Sequence, residues 1–100
     1  MKVHWTNTAE KHLDAIYHYI AQNSPEYAKR MVDRITRRSQ QIAECPFSGR
    51  SVPEYDFKQI REVIESSYRI IYYIKSDQID VLAVIHGSMN IPNSSGNTDN

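Results

Sequence analysis

The chain has 100 residues, of which 40% are hydrophobic, which predicts one domain with a small core and excludes a second core of similar size. Lys and Arg number 12, as do Asp and Glu, so global charge does not suggest a protein that coats nucleic acid or membranes. The single cysteine, Cys45, excludes an intramolecular disulfide and a cysteine-based zinc site. The chain starts without an apolar leader and its apolar runs are short, which predicts a cytoplasmic protein.

The first half of the chain predicts a strand followed by two helices. Residues 2–6 alternate polar and apolar side chains, which favours a short strand. Asn7 and Glu10 have capping-box spacing, so Asn7 is the expected N-cap of the first helix. A second helix is expected from about Pro25 to Glu44, because Ser24 can cap it and proline suits its first position. The short link between them predicts an antiparallel helical hairpin.

The second half predicts strands, because the hydrophobic period changes to two from about Phe57. A loop with proline and glycine, residues 45–54, comes first. Strands are then expected at 58–65, 68–75 and 79–86, with links short enough for an antiparallel meander. The last is apolar at nearly every position, which is typical of a strand covered on both faces.

These elements predict an α+β domain over residues 1–91, with the N-terminal strand completing the sheet and the helical hairpin on one face. The segment 92–100 has no apolar side chain and is expected to be a disordered polar tail. On the strand at 68–75, Ile71 and Tyr73 alternate with other apolar residues, so both faces are apolar. Because one hairpin covers only one face, we expect a partner helix to cover the face of Ile71 and Tyr73.

Several short motifs, each present once, follow one another along the chain. They are Trp5-Thr6, Tyr19-Ile20-Ala21, Val52-Pro53-Glu54, Arg61-Glu62, Tyr68-Arg69-Ile70-Ile71-Tyr72 and the segment 81–87. Over residues 3–91 their order and spacing resemble the ParE/RelE superfamily of type II toxins. The ending His86-Gly87-Ser88-Met89-Asn90 is more similar to the ParE branch.

The resemblance implies a toxin without a cofactor, neutralised by a small antitoxin in a hetero-oligomer. RelE-like members cleave mRNA on the ribosome, whereas ParE-like members bind DNA gyrase and block it without being enzymes. The ParE-like ending makes DNA gyrase and a ParD-like antitoxin the expected partners. A RelE-like endonuclease is the alternative, and a non-toxic interaction module of the same fold is a third possibility.

The residues argue against a nuclease. Metal-free RNA cleavage needs a base, an acid and cations on the phosphate. With the chain aligned on Tyr68-Arg69, the two lysine positions that the resemblance assigns to RelE-like nucleases fall on Ile60 and Glu62, which cannot serve. No Lys or Arg follows Lys75, and no Tyr follows Tyr73. No catalytic residue is therefore predicted, and His86 with Arg61 and Arg69 is expected to make contacts.

The resemblance places the target-binding candidates, whereas the antitoxin-binding candidates follow from the apolar pattern of the strand at 68–75 and from the basic second helix. The target-binding candidates are Arg61, Arg69, His86, Met89 and Asn90, with Ile91 beside them. The antitoxin-binding candidates are Ile71 and Tyr73 on the sheet and Arg30 and Arg34 on the second helix.

The second helix is basic, with Lys29, Arg30, Arg34, Arg37 and Arg38 around Asp33. Such a helix can touch nucleic acid. The favoured interpretation is a solvated face whose acidic complement is Glu10, Asp14, Glu26 and Glu44, and an acidic antitoxin segment is a further option. His12 and His18 are six residues apart and not at the spacing of a helical metal pair, so no metal site is expected.

Overall fold

Residues 1–87 are described by a computed structural model, in which two helices pack on one face of a five-stranded sheet. Among them, no helix is long and apolar enough to cross a membrane. The elements in chain order are β1 (Lys2–Trp5), α1 (Asn7–Ala21), α2 (Pro25–Gln41), two 3-10 turns (Ile42–Glu44 and Pro46–Ser48), β2 (Arg50–Ser51), β3 (Ile60–Glu65), β4 (Tyr68–Ile74) and β5 (Gln78–His86).

The strands are ordered β1-β5-β4-β3-β2. β3, β4 and β5 form the predicted antiparallel meander, and β1 joins β5 in parallel, with Trp5 opposite Val81. The two-residue strand β2 pairs with Arg61 and Glu62 of β3, where the sequence predicted only a loop. Two residues are too few for a period-two pattern to be detectable, which explains the omission.

The helix starts are set by side-chain caps. The predicted N-cap Asn7 is wrong by one residue, because Asn7 is the first residue of α1 and Thr6 is the cap. The Thr6 hydroxyl accepts the Ala9 N–H at 3.2 Å and donates to the Val81 carbonyl at 2.8 Å, so it also ties the helix start to β5. Ser24 caps α2 as predicted, accepting the Tyr27 N–H at 3.1 Å.

The main core lies between the helices and the sheet. The Trp5 indole N–H donates to the buried Ser39 hydroxyl at 3.2 Å, and Ser39 donates to the Thr36 carbonyl, so the polar atoms there are paired. The buried apolar members are Ala9, Met31, Ile35, Ile42, Val63, Ile70, Tyr72, Ile74, Ile79, Val81 and Val84.

The sheet face turned away from the helices, called the outer face below, carries a second apolar cluster of Val52, Ile71, Ala83 and Ile85. Val52, and Tyr55 packed against the cluster, belong to the loop 52–57. Ile71 is only 1% exposed, so the expectation that a partner helix must cover it is wrong. Sequence periodicity identified the apolar face, but the chain's own loop packs on it.

Candidate functional site

Four charged side chains from three places in the chain form a network on the outer face, called the charged cluster below. Arg69 of β4 donates its Nε–H to Glu62 Oε1 at 2.7 Å. Its two terminal nitrogens donate to the two oxygens of Glu54, at 2.8 and 3.0 Å, as a bidentate pair. Arg50 of β2 donates its Nε–H to the second oxygen of Glu62 at 2.7 Å. Glu62 is thus held between two guanidinium groups.

Burial makes these contacts strong. The side chain of Glu62 is fully buried, those of Arg69 and Glu54 are nearly so, and that of Arg50 is mostly exposed. Hydrogen bonds to Glu54 and then to Glu62 raise the pKa of Arg69 further above its ordinary value, although burial opposes the shift. The Arg69 guanidinium is therefore a permanent cation held by two carboxylates.

The charges of the cluster balance, since two arginines face two glutamates. The recess beside them has a volume of about 380 Å³ and is lined by Arg50, Pro53, Glu54, Glu62, Arg69 and Gly87. A phosphate bound to Arg69 there would meet both carboxylates and would have to displace their hydrogen bonds. The recess lacks the excess positive charge that stabilises a scissile phosphate.

Arg69 and His86 lie on opposite faces of the sheet. Arg69 sits opposite Ile85 of the outer cluster, whereas the preceding residue, Tyr68, sits opposite His86 and packs against the helix-side core. The Tyr68 and His86 rings meet edge to face, with centroids 5.8 Å apart. These two target-binding candidates therefore cannot belong to one small surface.

His86 lines an apolar groove between α1 and the sheet, called the helix groove below. Its volume is about 410 Å³, and its wall contains the half-buried Tyr68 and the 73% exposed Tyr19. The other lining residues are His12, Ala15, Ile16, Val84 and Ile85. An apolar groove with exposed aromatic rings at its rim is suited to a protein partner.

His12 closes an edge of the sheet within this groove. β1 pairs with β5 only as far as Val81, and the Val84 N–H beyond it donates to His12 Nδ1 at 3.2 Å. This contact requires that Nδ1 carries no proton. Burial lowers the pKa of His12, which favours the same neutral form.

The remaining described candidates lie apart from both surfaces. Arg61 donates to the backbone carbonyls of Lys58 and Gly49, at 2.9 and 3.1 Å, and its guanidinium lies 5.1 Å from the Phe47 ring centroid. These contacts fix the loop before β3. Tyr73 is half-buried, with its ring centroid 5.7 Å from that of Phe57. Met89, Asn90, Ile91 and the predicted tail at 92–100 lie outside the described residues.

The basic helix lacks its predicted acidic complement. Asp14 pairs with His18 at 3.4 Å, and within residues 1–87 none of the α2 cations forms an ion pair with a carboxylate. Arg30 lies instead over the ring of Tyr27, 5.8 Å from its centroid. The predicted solvated face is confirmed, since four of the five α2 cations are exposed, but the expected acidic complement of Glu10, Asp14, Glu26 and Glu44 forms no ion pair with them.

Sequence reasoning missed the roles of Arg50, Glu54, Glu62 and His12. A signal existed for Glu62, since a carboxylate stands between Ile60 and Ile64 on one face of β3, and such a position needs a buried counter-ion. The partner could not be read from the pattern because it depends on the register between β3 and β4. His12 offered no signal, because its acceptor role depends on where β1 ends.

The order of elements and the sheet define a small α+β protein of the ParE/RelE-like fold, as predicted. The family profile described as the ParE toxin of the type II toxin–antitoxin system parDE matches residues 3–91, so the chain belongs to the ParE toxin family.

Individual relatives agree with this assignment. The chain is similar to Y4kP of Sinorhizobium fredii (strain NBRC 101917 / NGR234), with 34% identity covering 91% of this chain and 93% of that protein. It is similar to the toxin RelE2 of Caulobacter vibrioides (strain ATCC 19089 / CIP 103742 / CB 15), with 33% identity covering 87% and 96%. A chain of the chromosomal ParDE system from P. aeruginosa superposes with a TM-score of 0.70 and 25% identity, covering 86% of this chain and 95% of that one.

Proposed function

We propose that this toxin acts by binding DNA gyrase and not by cutting RNA. The observation that carries the proposal is the pairing of Arg69, whose guanidinium donates hydrogen bonds to the carboxylates of both Glu54 and Glu62. A ribonuclease needs cations that are available to the phosphate as charge develops on it. In the charged cluster the positive charge is already neutralised.

The alternative function is ribosome-dependent mRNA cleavage of the RelE type. It is favoured by one specific observation, the similarity to a toxin named RelE2 over most of both chains. A histidine at the end of β5 also offers an imidazole that could serve in acid–base chemistry. That residue, His86, would then have to work on the face of the sheet opposite to Arg69.

The two functions are separated by assaying the purified chain in parallel for inhibition of gyrase supercoiling and for cleavage of a transcript on translating ribosomes. Inhibition without cleavage supports the proposal. Cleavage without inhibition establishes the alternative. A folded chain with neither activity is an interaction module of the same fold.

The proposed gyrase contacts are His86 and the segment after it, with Met89 and Asn90. His86→Ala and Met89→Ala are each expected to weaken gyrase inhibition at least about tenfold, as truncation of an interface anchor does. His18→Ala is the matched control, since this histidine is exposed on α1 and does not line the helix groove. Equal inhibition by wild type and both variants would place the contact elsewhere.

A ParD-like antitoxin is the proposed partner, and the helix groove is its proposed main site. The groove is apolar and open, whereas the earlier candidate Ile71 is already buried beneath the loop 52–57. An antitoxin in the groove would cover His86, which would explain neutralisation by simple occlusion. Tyr73 is proposed as a secondary contact, and an acidic antitoxin segment that reaches α2 would meet Arg30 and Arg34.

Tyr19→Ser tests the groove, because this side chain is exposed and its loss should not disturb the core. We expect antitoxin affinity, measured by calorimetry with the cognate antitoxin, to fall about tenfold or more. Tyr27→Ser is the control, a tyrosine on α2 that does not line the groove. An equal loss in both variants would contradict this placement.

A further inference from the structure

Helix α2 concentrates positive charge that the rest of the described chain does not neutralise. It carries five cations against the two carboxylates Glu26 and Asp33, in a chain whose net charge is zero. Four of the cations are exposed and Arg38 is half-buried. Within residues 1–87, the ion pairs are made by Arg50, Arg69, Lys75 and His18, and none by an α2 cation.

The helical period gathers most of these cations on one face, called the basic face below. Arg30, Arg34, Arg37, Arg38 and Gln41 recur at the spacing of a single stripe. Arg34, Arg37, Arg38 and Gln41 line one recess of about 240 Å³, in which Glu65 is the single carboxylate among the lining residues. Three guanidinium groups and an amide thus converge on one place.

The spacing of the basic face matches a regular array of anions. Arg30 and Arg38 are eight residues apart, which at about 1.5 Å per residue is about 12 Å along the helix. Each strand of duplex DNA carries one phosphate per about 3.4 Å of the axis, so about three to four phosphates of one strand lie along that length. Several arginines can therefore each meet a phosphate without distortion of the helix.

The composition of the face favours phosphates over a protein partner. Protein interfaces have a core of apolar side chains, whereas phosphates are bound by Arg, Lys and Gln without one. Among exposed α2 residues the large apolar side chain is Tyr27, at the helix start, and none lies between Arg30 and Gln41. Each guanidinium can also grip a phosphate through two parallel hydrogen bonds.

We propose that the basic face of α2 binds the phosphate backbone of double-stranded DNA without reading its sequence. This surface shares no lining residue with the helix groove or the charged cluster. It is therefore a second binding surface, separate from the proposed gyrase contact and from the antitoxin site in the helix groove, and it shares only Arg30 and Arg34 with the proposed antitoxin contacts on α2. A toxin with such a face adds phosphate contacts to any assembly that brings it close to DNA.

The test is fluorescence anisotropy of a labelled duplex of arbitrary sequence with the purified full chain, from about 50 to 200 mM salt. Non-specific binding with a Kd on the order of 10⁻⁵ M is expected at the low end. The triple variant R34Q/R37Q/R38Q should lose at least about tenfold in affinity, and its salt slope should flatten by about 0.9 for each lost phosphate contact. Circular dichroism and a urea midpoint confirm that the variant is folded.

The matched control is K2Q/K11Q/K58Q, which removes the same charge from three exposed lysines on β1, on α1 and in the loop before β3. It should bind the duplex within about twofold of wild type, if phosphate contacts are local to α2. An equal loss of duplex affinity in both triple variants would mean that binding depends on net charge alone, and it would overturn the proposal. No salt-dependent duplex binding by wild type would also overturn it, as would binding of an oligo-glutamate peptide in place of the duplex.

Discussion

Arg69 donates two parallel hydrogen bonds of 2.8 and 3.0 Å to the carboxylate of Glu54. They join β4, in the middle of the sheet, to the loop 52–57. The same loop supplies Val52 and Tyr55 to the outer apolar cluster. Ionic and apolar contacts therefore hold one loop in one position. The loop in turn keeps Ile71 away from solvent, so the charged cluster also shapes the outer face.

Breaking the charged cluster from one side should be costly. In Arg69→Met, the buried Glu62 keeps only the exposed Arg50 as a partner, and we expect the free energy of unfolding to fall by about 3 kcal/mol. The measurement is the urea midpoint at neutral pH with an unchanged slope. His18→Gln, which breaks an exposed pair with Asp14, should cost less than about 0.5 kcal/mol.

A double variant shows whether Arg69→Met loses stability because a buried charge is left unpaired or because side-chain packing is lost. In R69M/E62L the fully buried Glu62 carboxylate is removed together with Arg69, whereas Glu54 loses Arg69 equally in both variants, and Arg50 is exposed enough to be solvated. We therefore expect the double variant to be more stable than Arg69→Met alone. If it were less stable, the cost of Arg69→Met would come from packing and the electrostatic account would be wrong.

Gly49 is required for space and not for backbone conformation. A Cβ at this position would collide with the Tyr72 hydroxyl and lie 2.8 Å from the Glu62 carbonyl oxygen. We expect Gly49→Ala to lower the free energy of unfolding by about 1–3 kcal/mol, as overpacking does. Thermal and urea unfolding measure it. Gly87→Ala, with a Cβ 3.3 Å from the Ser67 carbonyl oxygen, is the milder comparison.

The collision predicts coupling between Gly49 and Tyr72. Tyr72→Phe alone loses the 2.6 Å hydrogen bond from the hydroxyl to the Pro46 carbonyl, but in the Gly49→Ala background it also removes the colliding oxygen. The two substitutions together should therefore cost at least about 0.5 kcal/mol less than the sum of the single effects. Additive costs would show that the backbone moves to relieve the collision.

The sequence predicted the elements better than the contacts between them. The period-two segments located β3, β4 and β5 closely because each has one face in the helix-side core. The same periodicity reports that a side chain is covered and not what covers it, so a partner was assigned to Ile71 where the loop 52–57 packs. Arg69, Glu54 and Glu62 meet only through strand register and loop path, which one-dimensional patterns do not contain.

The start of α1 tests whether a contact between elements, which the sequence pattern does not contain, selects the capping residue. Both Thr6 and Asn7 are suitable capping residues, and only the hydrogen bond from Thr6 to the Val81 carbonyl distinguishes them. We expect Thr6→Ala to cost about 1–2 kcal/mol in urea unfolding, because it removes a cap and a contact between elements. Asn7→Ala is the matched control and should change stability by less than about 0.5 kcal/mol. A larger loss of stability in Asn7→Ala than in Thr6→Ala would show that Asn7 is the cap.

The hydrogen bond from Val84 to His12 predicts a pH dependence of stability. Burial lowers the pKa of His12 in the folded chain, while the unfolded chain has the ordinary value near 6.5. Well above pH 6.5 both states are neutral and the contribution of His12 is fully present. As the pH falls through 6.5 toward the lowered folded pKa, the unfolded state binds its proton first, so this contribution is lost progressively over that interval.

His12→Gln isolates this effect, because glutamine can accept a hydrogen bond but does not titrate. Urea midpoints of wild type and variant, measured from pH 8 to pH 5, should diverge in slope below about pH 6.5, with wild type losing stability faster. Carboxylates elsewhere contribute equally to both proteins, so the difference between the curves belongs to His12. Because the Val84 N–H lies on the strand that ends at His86, acid should also loosen the helix groove. Parallel curves would mean that His12 Nδ1 is not the acceptor that holds this edge of β5.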